Sequence, residues 1–249
     1  MQVVAHTPVT VQERSRAVSA FAYRNSTTAV PVVRNAGVDG GGALHPVAGP
    51  ALSMDHMPTD EREGMRRRLR GLARVMGGPL ELHDLSSDPA VDDQFLDLQS
   101  AGWKGDPERG GAALRLDPLR ERWFRAVTSS FRRDGDLLAL RLASGGSTLW
   151  IGYGLRSGGA YFGFIDAYAE EHARYSPGSI GRVALMTYVF GATDTPFFDP
   201  AFDARYSMAA RLFPDRRTNV DLLLATSGLG ARTVLRAVPV ARRAGMLAP

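Results

Sequence analysis

Three β-like runs that follow one another at hairpin distance constrain the fold of this chain most. The runs cover Leu137 to Ala143, Thr148 to Leu155 and Ala160 to Tyr168, and the short segments SGGS and RSGG separate them. Turns of this length and composition join neighbouring antiparallel strands. The centre of the chain is therefore predicted to be an antiparallel meander.

Helices are predicted before the meander. Asp60 and Glu63 form a capping box that opens the first helix, and the pairs Asp88-Pro89 and Asp117-Pro118 open two more. Gly77-Gly78-Pro79 ends the first helix, and a short strand follows in PLELHDL. Helical spacing indicates which apolar residues face the core: Met65, Leu69, Leu72, Val75 and Met76 in the first helix, Val91, Phe95 and Leu98 in the second, and Leu119, Trp123, Val127 and Phe131 in the third, with Phe124 also expected in the core.

After the meander the predicted order is loop, helix, strand. The polar segment AEEHARYSPG leads into an apolar helix from about Ser179 to Phe190, and strands follow around 197–199 and 220–225, with a last helix from Gly230. Residues 1–51 carry short β-like runs broken by a Gly/Pro-rich stretch. We predict an α/β (α+β) fold whose main domain spans 52–249, after an N-terminal β/loop segment at 1–51.

Composition excludes several classes of protein. The 249 residues contain no cysteine, so a disulfide framework, a thiolate metal site and a cysteine nucleophile are excluded. No histidines pair at metal-ligand spacing, so we predict no metal. The sequence shows neither a membrane-spanning run nor a leader, which predicts a cytoplasmic protein without a membrane partner. A formal charge of +4 suits an acidic partner such as a phosphate-rich cofactor or nucleic acid, or else reflects solvated arginine-rich helices.

The junction between the AEEHARYSPG loop and its helix is a candidate phosphate site. A helix N-terminus presents free backbone N–H groups and the positive end of the helix dipole. Ser176 can cap the helix, and Gly178 and Gly181 would let a ligand approach the backbone, with Arg174 and Arg182 as cationic partners. The same residues also make an ordinary helix start, so the pattern alone leaves both interpretations open.

Three segments together resemble a known family. IDAYAEEHARYSPGSIGRVAL, QFLDLQSAGWKGDPERG and the arginine-rich helix after MDHMPTDEREGMRRRLRGL are similar to motifs of CelD-like (cellulose-biosynthesis-associated) acetyltransferases, a branch of the GNAT superfamily. The resemblance covers roughly residues 52–225. It implies a GNAT-like mixed sheet and transfer of an acetyl or longer acyl group from acyl-CoA to the amine of a small molecule or peptide. It leaves two interpretations of residues 1–51 open, a remnant of a first GNAT-like half or a segment that pairs with the sheet.

The resemblance also implies a cofactor site. The pantetheine arm of acyl-CoA would lie between splayed strands near Ile165 and Phe198, and the pyrophosphate would bind at Arg174, Tyr175, Ser176, Pro177, Gly178, Ser179, Gly181 and Arg182. Two departures stand out. Three residues separate Arg174 from Gly178, where the general pattern has two, and Ser207 follows Tyr206 where relatives have lysine.

Acyl transfer to an amine needs a neutral amine, a stabilised oxyanion and a proton for the thiolate. Candidate bases are Asp166, Glu170, Glu171, His172 and Asp199, of which we favour Asp199 or Asp166, and candidate acids are Tyr168, Tyr175 and Tyr206, of which we favour Tyr206 or Tyr175. Trp103, Lys104 and Tyr168 are candidates for substrate binding. Each of these side chains also has a plain alternative as a capping, packing or surface group.

Two other functions remain open from the sequence. One is an aminoacyl-tRNA-dependent (Fem-like) transferase, since the basic helix from Arg66 to Arg74 suits tRNA phosphates. The other is a catalytically degenerate GNAT module that acts as a binding or scaffold protein.

Overall fold

The computed structural model describes residues 21–34, 52–202, 211–225, 233 and 237. The chain divides into two units, one of residues 31–215 and one of residues 1–30 with 216–249. In the second unit the described residues belong almost entirely to two strands. The predicted helix from Gly230 and most of the N-terminal segment lie outside the described residues, and so do Tyr206 and Ser207.

Four helices and seven strands make up the regular structure of the described residues. In chain order they are β1 (Phe21–Arg34), α1 (Thr59–Met76), β2 (Glu81–Asp84), α2 (Val91–Ala101), α3 (Pro118–Arg133), β3 (Leu137–Ser144), β4 (Ser147–Ser157), β5 (Ala160–Tyr168), α4 (Pro177–Ala192), β6 (Phe197–Asp199) and β7 (Asp215–Ala225). Short 3₁₀ helices at 103–105, 107–109 and 114–116 connect α2 to α3, and another at 170–175 connects β5 to α4.

The first unit is built on a sheet in the order β2-β3-β4-β5-β6. The pairs β2–β3, β3–β4 and β4–β5 are antiparallel, whereas β5 and β6 are parallel. The last residues of β1 extend the sheet, since Val33 and Arg34 pair antiparallel with β6. This architecture confirms the predicted meander and the predicted mixed, mostly antiparallel sheet flanked by helices.

Each face of the sheet carries its own hydrophobic core. Helices α1 and α4 pack on one face through a cluster that includes Met65, Leu69, Trp150 and Phe198. Helices α2 and α3 pack on the other face through a second cluster that includes Phe95, Phe124 and Tyr153. Both faces of the sheet are therefore covered by helices.

The first two turns of helix α3 are rotated relative to their prediction, whereas Phe131 packs against the core as expected. We expected Leu119 and Trp123 in the core, but they are 67% and 53% exposed, whereas Phe124 and Thr128 are buried. The buried positions lie one residue along from the predicted ones, which is about 100° around a helix. The sequence pattern misses this register because a buried polar residue, Thr128, takes the place of an apolar one. In α1, Val75 is likewise 47% exposed because it lies one position away from the stripe that ends at Met76.

Helix starts follow the sequence signals in part. Asp117 caps α3 as predicted, since its carboxylate accepts the backbone N–H groups of Leu119 and Arg120. The capping box predicted for α1 is wrong, because Pro58 occupies the N-cap position and Asp60 lies in the first turn. An acidic side chain there still interacts favourably with the helix dipole.

Candidate active site between two diverging strands

The site is an opening in the sheet between β5 and β6. The two strands pair only through Tyr161 with Phe198 and Phe162 with Asp199, and β5 then continues to Tyr168. A cavity of about 140 Å³ lies beyond the paired residues. Its lining includes Ile165 and Phe198, the two positions expected at the splayed strands. The opening is narrow at Gly163, next to the paired residues. A Cβ on Gly163 would lie 2.8 Å from the carbonyl oxygen of Pro200, so the two chain segments are in close contact there.

The floor of the cavity is set by Trp150 on β4. Its indole fills a slot formed by two glycines, and a Cβ added to either Gly152 or Gly181 would overlap the ring. Gly152 lies two residues along the same strand and so faces the same side of the sheet. Gly181 lies in the second turn of α4. Small residues at both positions therefore allow the indole, which is 1% exposed, to lie between strand and helix.

A fixed polar group lies at the edge of the cavity. Asp166 on β5 accepts a hydrogen bond from Trp150 Nε1 over 2.9 Å and forms a two-pronged ion pair with Arg182 of α4. The Arg182 Nε to Asp166 Oδ2 distance is 2.8 Å. The guanidinium also stacks over the ring of Phe202, 4.9 Å from its centroid. All four residues line the cavity, so its polar end is rigidly held.

The loop after α2 contacts the end of β5. Lys104 donates from Nζ to the backbone carbonyl of Asp166 over 3.1 Å. Burial lowers the pKa of Lys104 below its usual range, the charge of Asp166 opposes that shift and the charge of Arg182 adds to it. Nearby, Glu170 accepts from Arg109 over 2.8 Å and from the backbone N–H of Trp103. The structure thus brings Lys104, Asp166 and Arg182 together from three distant segments.

The start of α4 differs in detail from the predicted phosphate loop. Ser176 adopts a left-handed conformation (φ 54°) and makes no side-chain cap, although its carbonyl accepts from the N–H groups of Ser179 and Ile180. A Cβ on Gly178 would lie 3.2 Å from the ring of Tyr168. Gly178 and Gly181 therefore pack against the aromatic rings of Tyr168 and Trp150. The two rings therefore occupy the side of the turn on which we expected a phosphate to approach the backbone.

Two residues next to this turn also have identifiable contacts. Tyr175 packs on α1, since a Cβ on Gly71 would lie 2.8 Å from its Cε1 atom. The guanidinium of Arg174 lies 4.6 Å above the same tyrosine ring and is exposed to solvent. Arg174 thus places an exposed positive charge, stacked on a ring, beside the N-terminus of α4.

The remaining predicted residues lie apart from the polar end of the cavity. Asp199 ends β6, is 3% exposed and accepts from the backbone N–H of Ala201 over 2.7 Å. Ala201 is itself in a left-handed conformation, with φ of 55°. Glu171 and His172 lie in the 3₁₀ helix between β5 and α4. Tyr206 lies outside the described residues, so its predicted role stays a prediction.

Several cavity residues were missed by the sequence analysis. Trp150, Tyr153, Phe164 and Phe202 all line the cavity and carried no recognised motif. One signal was present, because a tryptophan two residues before a glycine in a predicted strand indicates a large ring lying over a position without a side chain. The other residues depend on contacts between distant segments.

A buried polar cluster supports the cavity wall on the face of the sheet that α2 and α3 cover. Asp92 of α2 accepts from Arg132 over 2.7 Å, from Thr128 over 2.8 Å and from the Tyr153 hydroxyl over 2.9 Å. Burial, with the nearby charge of Asp92, raises the pKa of Tyr153 far above its usual range. These bonds fix the Tyr153 ring, which forms part of the cavity wall.

Among the residues that the structure describes, no three histidine, aspartate or glutamate side chains come together in a way that would hold a metal ion. No helix in the same residues is long and apolar enough to span a membrane.

Comparison with known proteins gives one family and two solved structures. Residues 59–193 match the family described as acetyltransferase (GNAT) domain. That match runs from α1 to just past α4 and includes Lys104, Trp150, Asp166 and Arg182. No curated protein matches the chain.

The two solved structures are distant in sequence. One is a conserved protein of unknown function from Bacteroides thetaiotaomicron, with 10% identity and a TM-score of 0.47 over 84% of this chain and 62% of that one. The other is the C-terminal DUF2156 domain of a putative lysylphosphatidylglycerol synthetase from Agrobacterium fabrum, with 13% identity and a TM-score of 0.43 over 89% of this chain and 66% of that one. The chain thus spans slightly less than two thirds of each.

Proposed function

Because the chain belongs to the acetyltransferase (GNAT) domain family, we propose that it transfers an acyl group from acyl-CoA to an amine by direct attack on the thioester. Membership supports acyl transfer in general. The dependence on acyl-CoA, the amine acceptor and a place in the CelD-like branch are our proposals. Direct transfer suits a chain without cysteine, since it needs no covalent enzyme intermediate.

The observation that carries this proposal is the opening between β5 and β6. A cavity of about 140 Å³ is much smaller than the pockets that enclose whole ligands, so it suits only the reacting end of a larger molecule. Its apolar walls and its fixed carboxylate–guanidinium pair fit an acyl thioester on one side and an amine on the other. We therefore place the thioester carbonyl in this opening.

We place the pyrophosphate of CoA at the N-terminus of α4. The helix dipole favours anions there, and Arg174 adds an exposed positive charge. Gly178 and Gly181 take a packing role in this arrangement, holding Tyr168 and Trp150 beneath the turn. The phosphates would then meet the outer side of the turn.

The reaction makes one bond and breaks one. The amine nitrogen attacks the thioester carbonyl, the tetrahedral intermediate collapses with loss of the C–S bond, the nitrogen gives up a proton and the thiolate takes one up. Of the two favoured bases, Asp166 lines the cavity, so we propose that its carboxylate orients the amine and accepts the proton. We assign proton donation to Tyr206 and a structural role to Tyr175, which packs on α1.

Calorimetric titration with acetyl-CoA and longer acyl-CoAs tests the proposal. Ile165→Trp would fill the cavity with a larger side chain, and Val75→Trp is a matched control at an exposed position on α1. We expect binding of at least one acyl-CoA by the wild type and the control, and at least tenfold weaker binding by Ile165→Trp. Equal binding by all three proteins would remove the cavity from the proposal, and no binding to any acyl-CoA would contradict the proposal itself.

One observation supports a second candidate function. Arg66, Arg67, Arg70 and Arg74 are all exposed on α1, which gives a basic stripe suited to phosphates of tRNA. An aminoacyl-tRNA-dependent transferase would bind tRNA with an affinity that falls steeply with salt. Such binding, without binding of acyl-CoA, would favour this function. A protein that binds neither would fit a scaffold module.

A further inference from the structure

Apolar side chains lie exposed on the face of α3 that was expected in the core. Trp123 is 53% exposed and Leu119 is 67% exposed, and the two lie one helical turn apart on the same side. Exposed large aromatic residues are enriched at binding surfaces, whereas the charged residues of this helix would suffice for solubility. Leu119 and the exposed half of Trp123 therefore form an apolar surface that the chain itself does not cover.

Phe164 joins this surface to the cavity. Its ring centroid lies 5.5 Å from that of Trp123, and the same ring lines the opening between β5 and β6. On its other side Phe164 stacks parallel to the buried Phe124 at 6.4 Å, which holds the ring in place. An apolar path thus runs from the cavity across Phe164 to Trp123 and Leu119. We call Phe164, Trp123 and Leu119 together the α3 apolar surface.

The cavity has different chemistry on the two faces of the sheet. On the α4 face its lining includes Arg182, Asp166 and Leu185, close to the helix N-terminus that we assign to phosphate. On the α2–α3 face it includes Tyr153 and Phe164. If acyl-CoA approaches from the α4 side, the α3 side is left for the second substrate.

We propose that the α3 apolar surface binds an aromatic or aliphatic group of the acceptor, so that the preferred acceptors are apolar primary amines. This inference rests on the proposed function and names the acceptor class of the same site. The amino group would enter the cavity toward Asp166 while the apolar substituent covers Phe164 and Trp123.

A matched set of amines and variants tests the inference. Acetyl transfer from acetyl-CoA is followed by release of free thiol, with 2-phenylethylamine as the apolar acceptor and ethanolamine as the polar one. Trp123→Ala and Leu119→Ala remove exposed side chains that carry little of the fold, and Val75→Ala is the control on the other face of the sheet. Calorimetric affinity for acetyl-CoA is measured for every protein.

We expect the wild type to prefer 2-phenylethylamine, and we expect Trp123→Ala to raise its KM about tenfold, which corresponds to the loss of one apolar contact surface. The KM for ethanolamine and the affinity for acetyl-CoA should stay within twofold in all variants. An unchanged KM for 2-phenylethylamine in both variants would overturn the inference and leave the proposed function standing. The affinity for octanoyl-CoA is measured alongside, and a loss of that affinity in Trp123→Ala with an unchanged KM for 2-phenylethylamine would also overturn the inference, because the surface would then hold the acyl chain.

Failure of the proposed function would look different. In that case the wild type would bind no acyl-CoA and would acetylate neither amine, which would withdraw the acceptor assignment together with the reaction.

Discussion

The indole N–H of Trp150 and the carboxylate of Asp166 are joined across neighbouring strands by a 2.9 Å hydrogen bond. Gly152, not Trp150, is the direct partner of Asp166 in the ladder, so the bond runs diagonally over a position without a side chain. The same carboxylate holds Arg182. One acidic residue therefore couples β4, β5 and α4 at the edge of the cavity.

The first prediction concerns the charge of that carboxylate. Asp166→Asn keeps the size of the side chain but leaves Arg182 partly buried without its counter-charge. We expect a loss of about 1–3 kcal/mol in the free energy of unfolding, measured by urea denaturation. Asp97→Asn removes one partner of an exposed ion pair with Arg115 and should change stability by less than about 0.5 kcal/mol. Equal effects of the two substitutions would contradict the coupling described here.

The second prediction uses two glycines of the same helix. Gly181→Ala places a methyl group inside the indole of Trp150, so the ring or the helix must shift. We expect overpacking to lower the free energy of unfolding by about 1–3 kcal/mol. We also expect weaker binding of acyl-CoA in the cavity.

Gly191→Ala is the matched control, because a Cβ there meets nothing within 4 Å. In a helix this change should be neutral or stabilising by up to about 1 kcal/mol. Thermal unfolding of the two variants measures the difference. A Gly181→Ala protein as stable as the wild type would show that the slot around Trp150 is not tight.

The third prediction concerns the phosphate end of acyl-CoA. Gly178→Asp would add a charge but would also press on Tyr168, so its effect would mix packing with electrostatics. Arg174→Glu reverses an exposed charge beside the α4 N-terminus without that complication. We expect at least tenfold weaker binding of acyl-CoA by calorimetry, with a loss that shrinks at high salt.

Arg122→Glu is the control for the third prediction, since Arg122 is an exposed residue on α3 with the same charge change. It should leave acyl-CoA affinity within twofold. If both variants weaken binding alike, the effect reflects net charge, and the proposed pyrophosphate position is wrong.

The fourth prediction is a pH dependence of stability at His56. Nε2 of His56 donates to the carbonyl of Leu212 over 3.0 Å, and burial lowers the pKa of the imidazole below its ordinary value of 6.5. The unfolded chain takes up this proton at a higher pH than the folded chain does. Stability should therefore fall as the pH drops below about 6.5.

Urea denaturation at pH 7.5 and pH 5.5 checks the fourth prediction. His56→Gln removes the titrating group, so its stability should fall less between the two values than that of the wild type. An identical fall in the two proteins would assign the pH dependence to other groups.

Local signals predict some elements, although α1 begins without its capping box and α2 begins at Val91, after the predicted start at Asp88-Pro89. Asp117 followed by proline determines the start of α3, and the hairpin turns of the meander determine its strands. The same helix shows the limit, because the rotation that exposes Trp123 depends on the buried bonds of Asp92 with Thr128 and Arg132. A pattern of apolar residues does not contain that information.

The candidate site likewise combines positions that could be predicted from the sequence with contacts that could not. The resemblance indicated Ile165 and Phe198, which do line the opening. The contact of Lys104 with the carbonyl of Asp166 joins residues 62 apart in sequence, and no local signal specifies it. The glycines at 178 and 181 show that a residue type alone leaves its role open, because a missing side chain suits an aromatic ring as well as a ligand.

The slot around Trp150 has a practical consequence for spectroscopy. The chain contains three tryptophans, and Trp103 and Trp123 are both exposed while Trp150 is buried at the cavity floor with its N–H bound to a carboxylate. Replacing the two exposed residues by phenylalanine would leave a single fluorophore. Its emission wavelength and intensity would then report directly on what enters the cavity, without a label and before any substrate is known.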